Sequence, residues 1–136
     1  MAVLDTTVLI DLLRSPRNTN HVRAARKIIA LQAAGAALLT TRINIAELFV
    51  GVELSNDPVR EEARVQSILN KFGILELDEL VARRFGTIAA SLQRRGQPSG
   101  DLDALIAAIA LVNGQSLVTR NPKHFEQIPG LLVETY

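Results

Sequence analysis

The sequence predicts an α/β fold in which helices cover both faces of a short, mainly parallel sheet. Short apolar segments alternate along the chain with longer segments of helical periodicity, and this alternation is typical of a parallel sheet buried on both faces. The chain has 136 residues, which suits one domain with one core. Hydrophobic residues make up 48% and charged residues 21%, close to the average for globular proteins. We therefore expect residues 1–136 to form a single domain.

The first part of the chain predicts a strand, two helices and a second strand, in that order. The apolar run Ala2–Leu4 is typical of a buried strand, and Asp5 marks its end. A short helix follows and ends before the turn at Pro16. Apolar side chains recur at helical spacing over residues 20–34, and residues 36–40 form the second apolar strand.

Two further helices and a third strand follow. Asn44 is expected to cap a helix that runs through Leu54, because Asn is among the residues preferred at helix N-caps. A helix over residues 59–72 carries apolar side chains on one face, and Gly73 ends it. The short apolar segment 74–77 is the third strand.

The last part of the chain repeats the alternation. Asp78 is expected to cap a long amphipathic helix that reaches Arg95, and the loop GQPSG at residues 96–100 follows. The next helix, residues 101–112, is apolar on nearly every face and is therefore expected to be buried. The remaining expected elements are strands at residues 116–119 and 131–133, with a helical turn at residues 123–126 between them.

The composition excludes several classes of function. Lys and Arg number 15 and Asp and Glu number 14, so the net charge of +1 gives no overall attraction for a polyanion. With no cysteine and two histidines, the chain has no disulfide, no thiolate metal site and no three-histidine zinc site. The longest uncharged runs are shorter than a membrane-spanning helix, and the N-terminus lacks the features of a secretory signal. We expect a cytoplasmic protein without membrane contacts.

Four carboxylates lie in apolar segments, whereas most of the other acids lie among charged residues. The four are Asp5, Glu47, Asp101 and Asp103. A buried carboxylate is costly unless it is paired or bound to a cation. Each of the three segments follows a strand or begins a helix, and the carboxyl ends of parallel strands meet at one edge of a sheet. These acids are therefore expected to converge on one pocket.

Some of these acids have an alternative structural role. Asp5 and Asp101 each stand where a helix N-cap is expected, and the helix dipole favours Asp103 in a first turn. Glu47 has no such role, because it lies in the second turn of its helix. A cluster of oxygen ligands without His or Cys suits Mg²⁺ or Mn²⁺ rather than zinc.

The acids and the polar residues near them lie in four short segments, Val3–Ile10 (VLDTTVLI), Ile45–Leu48 (IAEL), Asp103–Ala108 (DALIAA) and Leu117–Asn121 (LVTRN). In this order, they resemble the four motifs of PIN-domain ribonucleases, in particular the VapC toxins of bacterial and archaeal toxin–antitoxin pairs. Each motif is weak alone, but four in order in a chain of this length are specific. The resemblance implies a PIN-like three-layer α/β/α sandwich with a short, mainly parallel central sheet.

The resemblance also implies roles for individual residues. The implied metal ligands and catalytic acids are Asp5, Glu47 and Asp103. The implied auxiliary residues are Asp101, Thr7 and Thr119. Asn121 is implied to be a fourth catalytic residue; it stands where the family often has Asp and supplies no negative charge. Asn44 departs from the Thr or Ser that the family often has at its position.

Basic residues are concentrated in one part of the chain. Residues 12–46 contain six Lys and Arg side chains and no acid. A local basic surface beside a metal pocket suits an RNA backbone. The candidate RNA contacts are Arg14, Arg17, Arg42 and Arg120. A solvated helix face explains part of this pattern equally well, and the same region could meet an antitoxin.

The sequence thus favours an endoribonuclease that uses Mg²⁺ or Mn²⁺ to hydrolyse RNA phosphodiesters, as the toxin of a VapBC-type pair. One alternative is a non-catalytic RNA- or protein-binding PIN module, and another is a small metal-dependent phosphatase. By family resemblance, the expected partners are RNA, a VapB-like antitoxin and a second copy of the chain. The apolar helices near residues 43–54 and 59–72 are expected to supply the two protein interfaces.

Overall fold

The structure, a computed structural model, describes residues 1–97 and 100–136. The strands are β1 (Ala2–Leu4), β2 (Leu38–Thr41), β3 (Gly73–Leu75), β4 (Ser116–Val118) and β5 (Val133–Glu134). The helices are α1 (Thr6–Leu13), α2 (Thr19–Ala33), α3 (Arg42–Leu54), α4 (Pro58–Leu69), α5 (Glu79–Arg94) and α6 (Asp101–Val112). A 3₁₀ helix covers Pro122–His124. Pro98 and Ser99, in the expected loop at 96–100, lie outside the described residues.

The strands form one sheet in the order β3-β2-β1-β4-β5, and every pairing is parallel. β1 lies in the middle, where Val3 is in register with Leu39 of β2 and with Leu117 of β4. The carboxyl ends of β1, β2 and β4 therefore lie side by side. This arrangement places the residues that follow these strands, Asp5 among them, at one edge of the sheet.

Each face of the sheet carries its own apolar core. Side chains alternate along a strand, and Val3 and Leu117 pack with α5 and α6 while Leu4 and Val118 pack with α1 to α4. Helices therefore cover both faces of the sheet. This confirms the predicted three-layer α/β/α sandwich, with a sheet that is parallel throughout the described strands.

Several element ends differ from the sequence prediction. Thr41, not Asn44, is the N-cap of α3, so the helix begins earlier than predicted. The third strand begins at Gly73, because Gly73 pairs with Leu39 in the sheet. A short edge strand has too few residues to show a clear apolar pattern, so its pairing with the adjacent strand β2 determines where it begins. The predicted cap at Asp78 is confirmed, since its carboxylate accepts a hydrogen bond from the backbone N of Val81 at 3.0 Å.

The remaining shifts are small. The last strand is Val133–Glu134 rather than residues 131–133, and the helical turn begins at Pro122 rather than at residue 123. In the part of the chain that the structure describes, no helix is both long enough and apolar enough to cross a membrane.

Candidate metal and active site

Asp5 is the central acid of the site. It is only 6% exposed, and it follows the last residue of the central strand. Its Oδ1 accepts a hydrogen bond from Asn44 Nδ2 at 3.2 Å, and its Oδ2 accepts one from the Thr119 hydroxyl at 2.7 Å. Asp5 occupies the N-cap position of α1, but its carboxylate makes no capping bond to the described backbone. The N-cap alternative is therefore confirmed for the position of Asp5, but its carboxylate bonds to Asn44 and Thr119 instead of the helix backbone.

Asn44 links the start of α3 to this carboxylate. It is fully buried, and its Oδ1 accepts hydrogen bonds from the backbone N and the hydroxyl of Thr41, at 3.3 and 2.7 Å. Its Nδ2 donates to Asp5 and also to the Thr6 hydroxyl, at 2.9 Å. The side chain that departs from the expected family residue is thus a direct partner of Asp5. Sequence reasoning noted the departure but treated Asn44 as a helix cap.

Thr7, Thr119 and Asn121 form a second set of contacts around Asp5. The hydroxyls of Thr7 and Thr119 are 3.3 Å apart, and the Thr7 hydroxyl donates to Asp5 Oδ2 at 3.5 Å. The backbone N of Asn121 donates to the Thr119 hydroxyl at 3.1 Å. The structure thus brings all three predicted residues to Asp5, with Asn121 joined to this network through its backbone.

Glu47 lies beside Asp5 and is half-buried. Its Oε1 accepts a hydrogen bond from the Thr6 hydroxyl at 2.6 Å. Burial raises the pKa of the Glu47 carboxyl above its ordinary value, and the negative charges of Asp5 and Asp103 raise it further, while the Thr6 bond opposes this shift. Asp5 and Asp103, from separate elements, are thus near enough for their charges to act on the Glu47 carboxyl.

The pKa of Asp103, in α6, is raised in a similar way to that of Glu47. Burial and the charge of Asp5 raise the pKa of the Asp103 carboxyl, and the nearby His124 ring opposes the shift. Asp103 Oδ2 lies 3.3 Å from His124 Nδ1, and the side chains are 26% and 58% exposed. His124, which sequence reasoning left out of the site, therefore touches one of the predicted metal ligands.

Asp101 is the most exposed of the four acids singled out in the sequence. It is exposed at the first residue of α6, and the N-cap of that helix is Gly100. The interpretation of Asp101 as an N-cap is therefore wrong. It supplies a negative charge in the first turn, where the helix dipole favours one. Its auxiliary role at the site stays a prediction.

Most of the candidate RNA-contacting arginines are paired within the chain. Arg14 and Arg120 both donate to the carboxylate of Asp11, at 3.0 and 2.8 Å. Arg42 forms a two-nitrogen contact with Glu76, in which both side chains are more than half exposed. Arg17 is exposed.

Asp11 was missed by sequence reasoning. It is fully buried, and the Tyr136 hydroxyl also donates to it, at 2.7 Å. Burial raises the pKa of Tyr136, and the bond to Asp11 raises it further. The position of Asp11 in the apolar segment TTVLIDLL is the signal that could have identified it.

The donor set fits a hard divalent cation, because the candidate ligands are carboxylates and the neutral Asn44 and Thr119 orient one of them. Within residues 1–97 and 100–136, however, no three His, Cys, Asp or Glu side chains stand as close together as the ligands of a bound metal. Glu47 is turned to Thr6 and Asp103 to His124. Binding of an ion by all three acids therefore requires rotation of these two half-buried side chains.

Comparison with known proteins gives a consistent result. Residues 2–131 match the PIN domain family. The tRNA(fMet)-specific endonuclease VapC of Salmonella typhimurium is 37% identical over 134 residues, which cover 98% of this chain and 96% of that protein. The DNA-bound VapBC structure from Salmonella typhimurium superposes with a TM-score of 0.85 at 30% identity, covering 98% of this chain and 96% of that one. A toxin–antitoxin complex from Klebsiella pneumoniae gives a TM-score of 0.70 at 30% identity, covering 97% and 96%.

Proposed function

This chain belongs to the PIN domain family, and we propose that it is an endoribonuclease of the VapC type that hydrolyses RNA with the help of Mg²⁺ or Mn²⁺. The observation that carries the proposal is the buried Asp5 carboxylate at the carboxyl edge of the sheet, which Asn44 and Thr119 hold from two other elements. Glu47 is bonded to the adjacent residue, Thr6, at 2.6 Å. The relatives named as VapC endonucleases and ribonucleases support RNA as the substrate.

The three carboxylates are proposed to hold the ion, with Asp5 as the fixed ligand. A bound divalent ion lowers the pKa of a coordinated water and stabilises charge on the phosphate. Asn44 and Thr119 hold the two oxygens of Asp5 in one orientation, so that this ligand loses little freedom on binding. Asn121 is proposed to orient the substrate or a water beside the acids, and Thr7 and Thr119 support it.

Two protein partners are proposed. Solved relatives include VapBC and toxin–antitoxin complexes, so an antitoxin that blocks the acidic site is the expected inhibitor. The second proposed partner is another copy of this chain, in a homodimer. Large apolar side chains on α3 and α4 are exposed, including Val50 (59%), Leu54 (81%) and Val59 (81%), and a cleft of about 390 Å³ opens between α1, α3 and α4. These surfaces support protein contacts in this region.

Substitution of the central acids tests the proposed chemistry. Asp5→Asn and Asp103→Asn each remove a negative charge while keeping the size of the side chain, so cleavage of single-stranded RNA with Mg²⁺ or Mn²⁺ should fall by at least about 100-fold. Gel analysis of end-labelled RNA measures the cleavage, and isothermal titration with Mn²⁺ measures the binding of the metal. Glu53→Gln is the control, because Glu53 is exposed on the same helix as Glu47.

The same assays separate the alternatives. Wild-type activity in both acid variants, at equal folded content, would refute the site. RNA binding without cleavage would favour the non-catalytic PIN module. Hydrolysis of a phosphomonoester with no effect on RNA would favour the phosphatase.

A further inference from the structure

Asp11 is a fully buried acid that the proposed metal site does not use. Its Oδ1 accepts a hydrogen bond from Arg14 Nε at 3.0 Å, and its Oδ2 accepts bonds from Arg120 Nε at 2.8 Å and from the Tyr136 hydroxyl at 2.7 Å. Arg120 and Tyr136 are 109 and 125 residues away in sequence. Oδ1 is thus bonded within the same part of the chain, whereas Oδ2 is bonded to two distant segments. A buried carboxylate with such contacts fixes the distant segments relative to its own helix.

Arg120 lies within the segment that reaches the acidic site. The residue before it is Thr119, whose hydroxyl donates to Asp5 at 2.7 Å. The residue after it is Asn121, whose backbone N donates to the Thr119 hydroxyl at 3.1 Å. The backbone N of Arg120 itself donates to the Thr7 hydroxyl at 3.0 Å. A shift of Arg120 would therefore move the partners of Asp5.

Helix α1 holds Arg120 at two points. Thr7 and Asp11 are four residues apart, so they lie one turn apart on the same face of the helix. Thr7 accepts from the backbone of Arg120, and Asp11 accepts from its side chain. Tyr136, at the end of the chain, bonds to the same Asp11 oxygen as Arg120. We refer to Asp11, Arg120 and Tyr136 together as the Arg120 clamp.

We propose that Asp11 is a positioning residue for the acidic site: through the Arg120 clamp it holds Thr119 against Asp5. This inference rests on the proposed function, since the clamp acts on the residues that would orient a metal ligand. A different result is expected if Asp11 only stabilises the fold. Its loss would lower the stability of the whole fold and leave the turnover of each folded molecule unchanged.

Two variants of the clamp and one control test this role. Tyr136→Phe removes one hydrogen bond and no charge, and Asp11→Asn removes the central charge. Glu134→Gln is the control, because it breaks a different contact of the last strand, the 3.0 Å ion pair with Lys27, and leaves the clamp intact. Each protein is assayed for kcat and KM on single-stranded RNA with Mn²⁺. Amide hydrogen exchange of Arg120 and Asn121 is followed by NMR without metal.

The clamp predicts a fall in kcat with little change in KM. The expected decrease is about fivefold for Tyr136→Phe, equivalent to one net hydrogen bond. It is about 10- to 100-fold for Asp11→Asn, the range for residues that orient a metal ligand. The amides of Arg120 and Asn121 should exchange faster in both variants, and Glu134→Gln should match the wild type in all three measurements.

Two results would overturn the proposal. The first is unchanged exchange at Arg120 and Asn121, which rejects the clamp whether or not the chain cleaves RNA. The second is faster exchange spread evenly along the chain with unchanged kcat per folded molecule, as a purely structural acid predicts. If Asp11→Asn does not fold, Tyr136→Phe decides alone, since it keeps every charge. If the wild type cleaves no RNA with any divalent ion, the proposed function fails while the exchange data still test the clamp.

Discussion

Asp5 differs from the other two acids of the site in how firmly it is held. Both of its carboxylate oxygens accept hydrogen bonds from neutral donors, Asn44 and Thr119, and the side chain is buried. Glu47 and Asp103 are half-buried, and each faces one polar neighbour. In the proposed metal site, Asp5 would be a rigid ligand beside two adjustable ones.

Glu47 is expected to destabilise the metal-free protein. Its pKa is raised in the folded state above the ordinary value of 4.5, so the folded chain favours the protonated carboxyl. The stability that this protonated form provides is present at low pH and is lost as the pH rises through the raised pKa. Glu47→Gln keeps a neutral side chain at every pH, and its Tm in EDTA should therefore exceed that of the wild type at about pH 8.

The effect of Glu47 should reverse when metal is present. Saturating Mn²⁺ should stabilise the wild type more than Glu47→Gln, because the carboxylate binds the ion and the amide does so weakly. Thermal scans at several pH values with and without Mn²⁺ provide the comparison. If the Tm of Glu47→Gln in EDTA is below that of the wild type at neutral and alkaline pH, the Glu47 carboxylate does not destabilise the metal-free protein and the prediction is wrong.

At the level of elements, α3 combines a structural motif with a site contact. Thr41 and Asn44 form a capping box at its N-terminus, in which the Thr41 hydroxyl accepts from the backbone N of Asn44 at 3.1 Å. The same Asn44 side chain reaches Asp5. The start of this helix therefore fixes the orientation of the acid that follows the central strand β1.

Removal of two helix caps should separate these roles. Thr41→Ala and Asp78→Ala each delete an N-cap side chain, and each should lower the free energy of unfolding by about 1 kcal/mol. Only Thr41→Ala should also lower kcat, because only its capping box contains a partner of Asp5. Urea unfolding and RNA cleavage assays measure the two quantities. Equal activity in the two variants would show that the capping box does not position the acid.

At the level of the whole molecule, ion pairs within the chain reduce the number of basic side chains in segment 12–46 that are available to bind RNA. Its charges include Arg14, Lys27 and Arg42, which pair with Asp11, Glu134 and Glu76. In the described ranges 1–97 and 100–136, no ion pair engages Arg17, which is exposed after the end of α1. Arg17 is therefore the candidate RNA contact that is most available to a phosphate.

RNA binding should become less salt-dependent without Arg17. In an Asp5→Asn background, which prevents cleavage, Arg17→Ala should reduce the slope of log K against log salt by about 0.7, the value for one contact to a single strand. Arg83→Ala is the control, because Arg83 pairs with Glu79 on α5. Fluorescence anisotropy at several salt concentrations gives the slopes. An unchanged slope for Arg17→Ala would remove it from the interface.

The order of strands and helices, the sandwich architecture and the position of Asp5 at the carboxyl edge of the sheet follow from the sequence. These features depend on local periodicity and on the rule that parallel strands share a carboxyl edge, so a single chain is enough to predict them. The ends of the short strands were less accurate, because pairing with a neighbour decides where β3 and β5 begin.

Only the tertiary structure decided which side chains bond to these acids. Asn44 reaches Asp5 across 39 positions, Thr119 reaches it across 114, and Tyr136 reaches Asp11 across 125. No local pattern encodes such partners, because they are set by how helices and loops from distant parts of the chain pack at the sheet edge. The same packing paired Arg120 with a buried acid 109 residues away, so that a side chain that resembled a free surface charge is engaged within the chain.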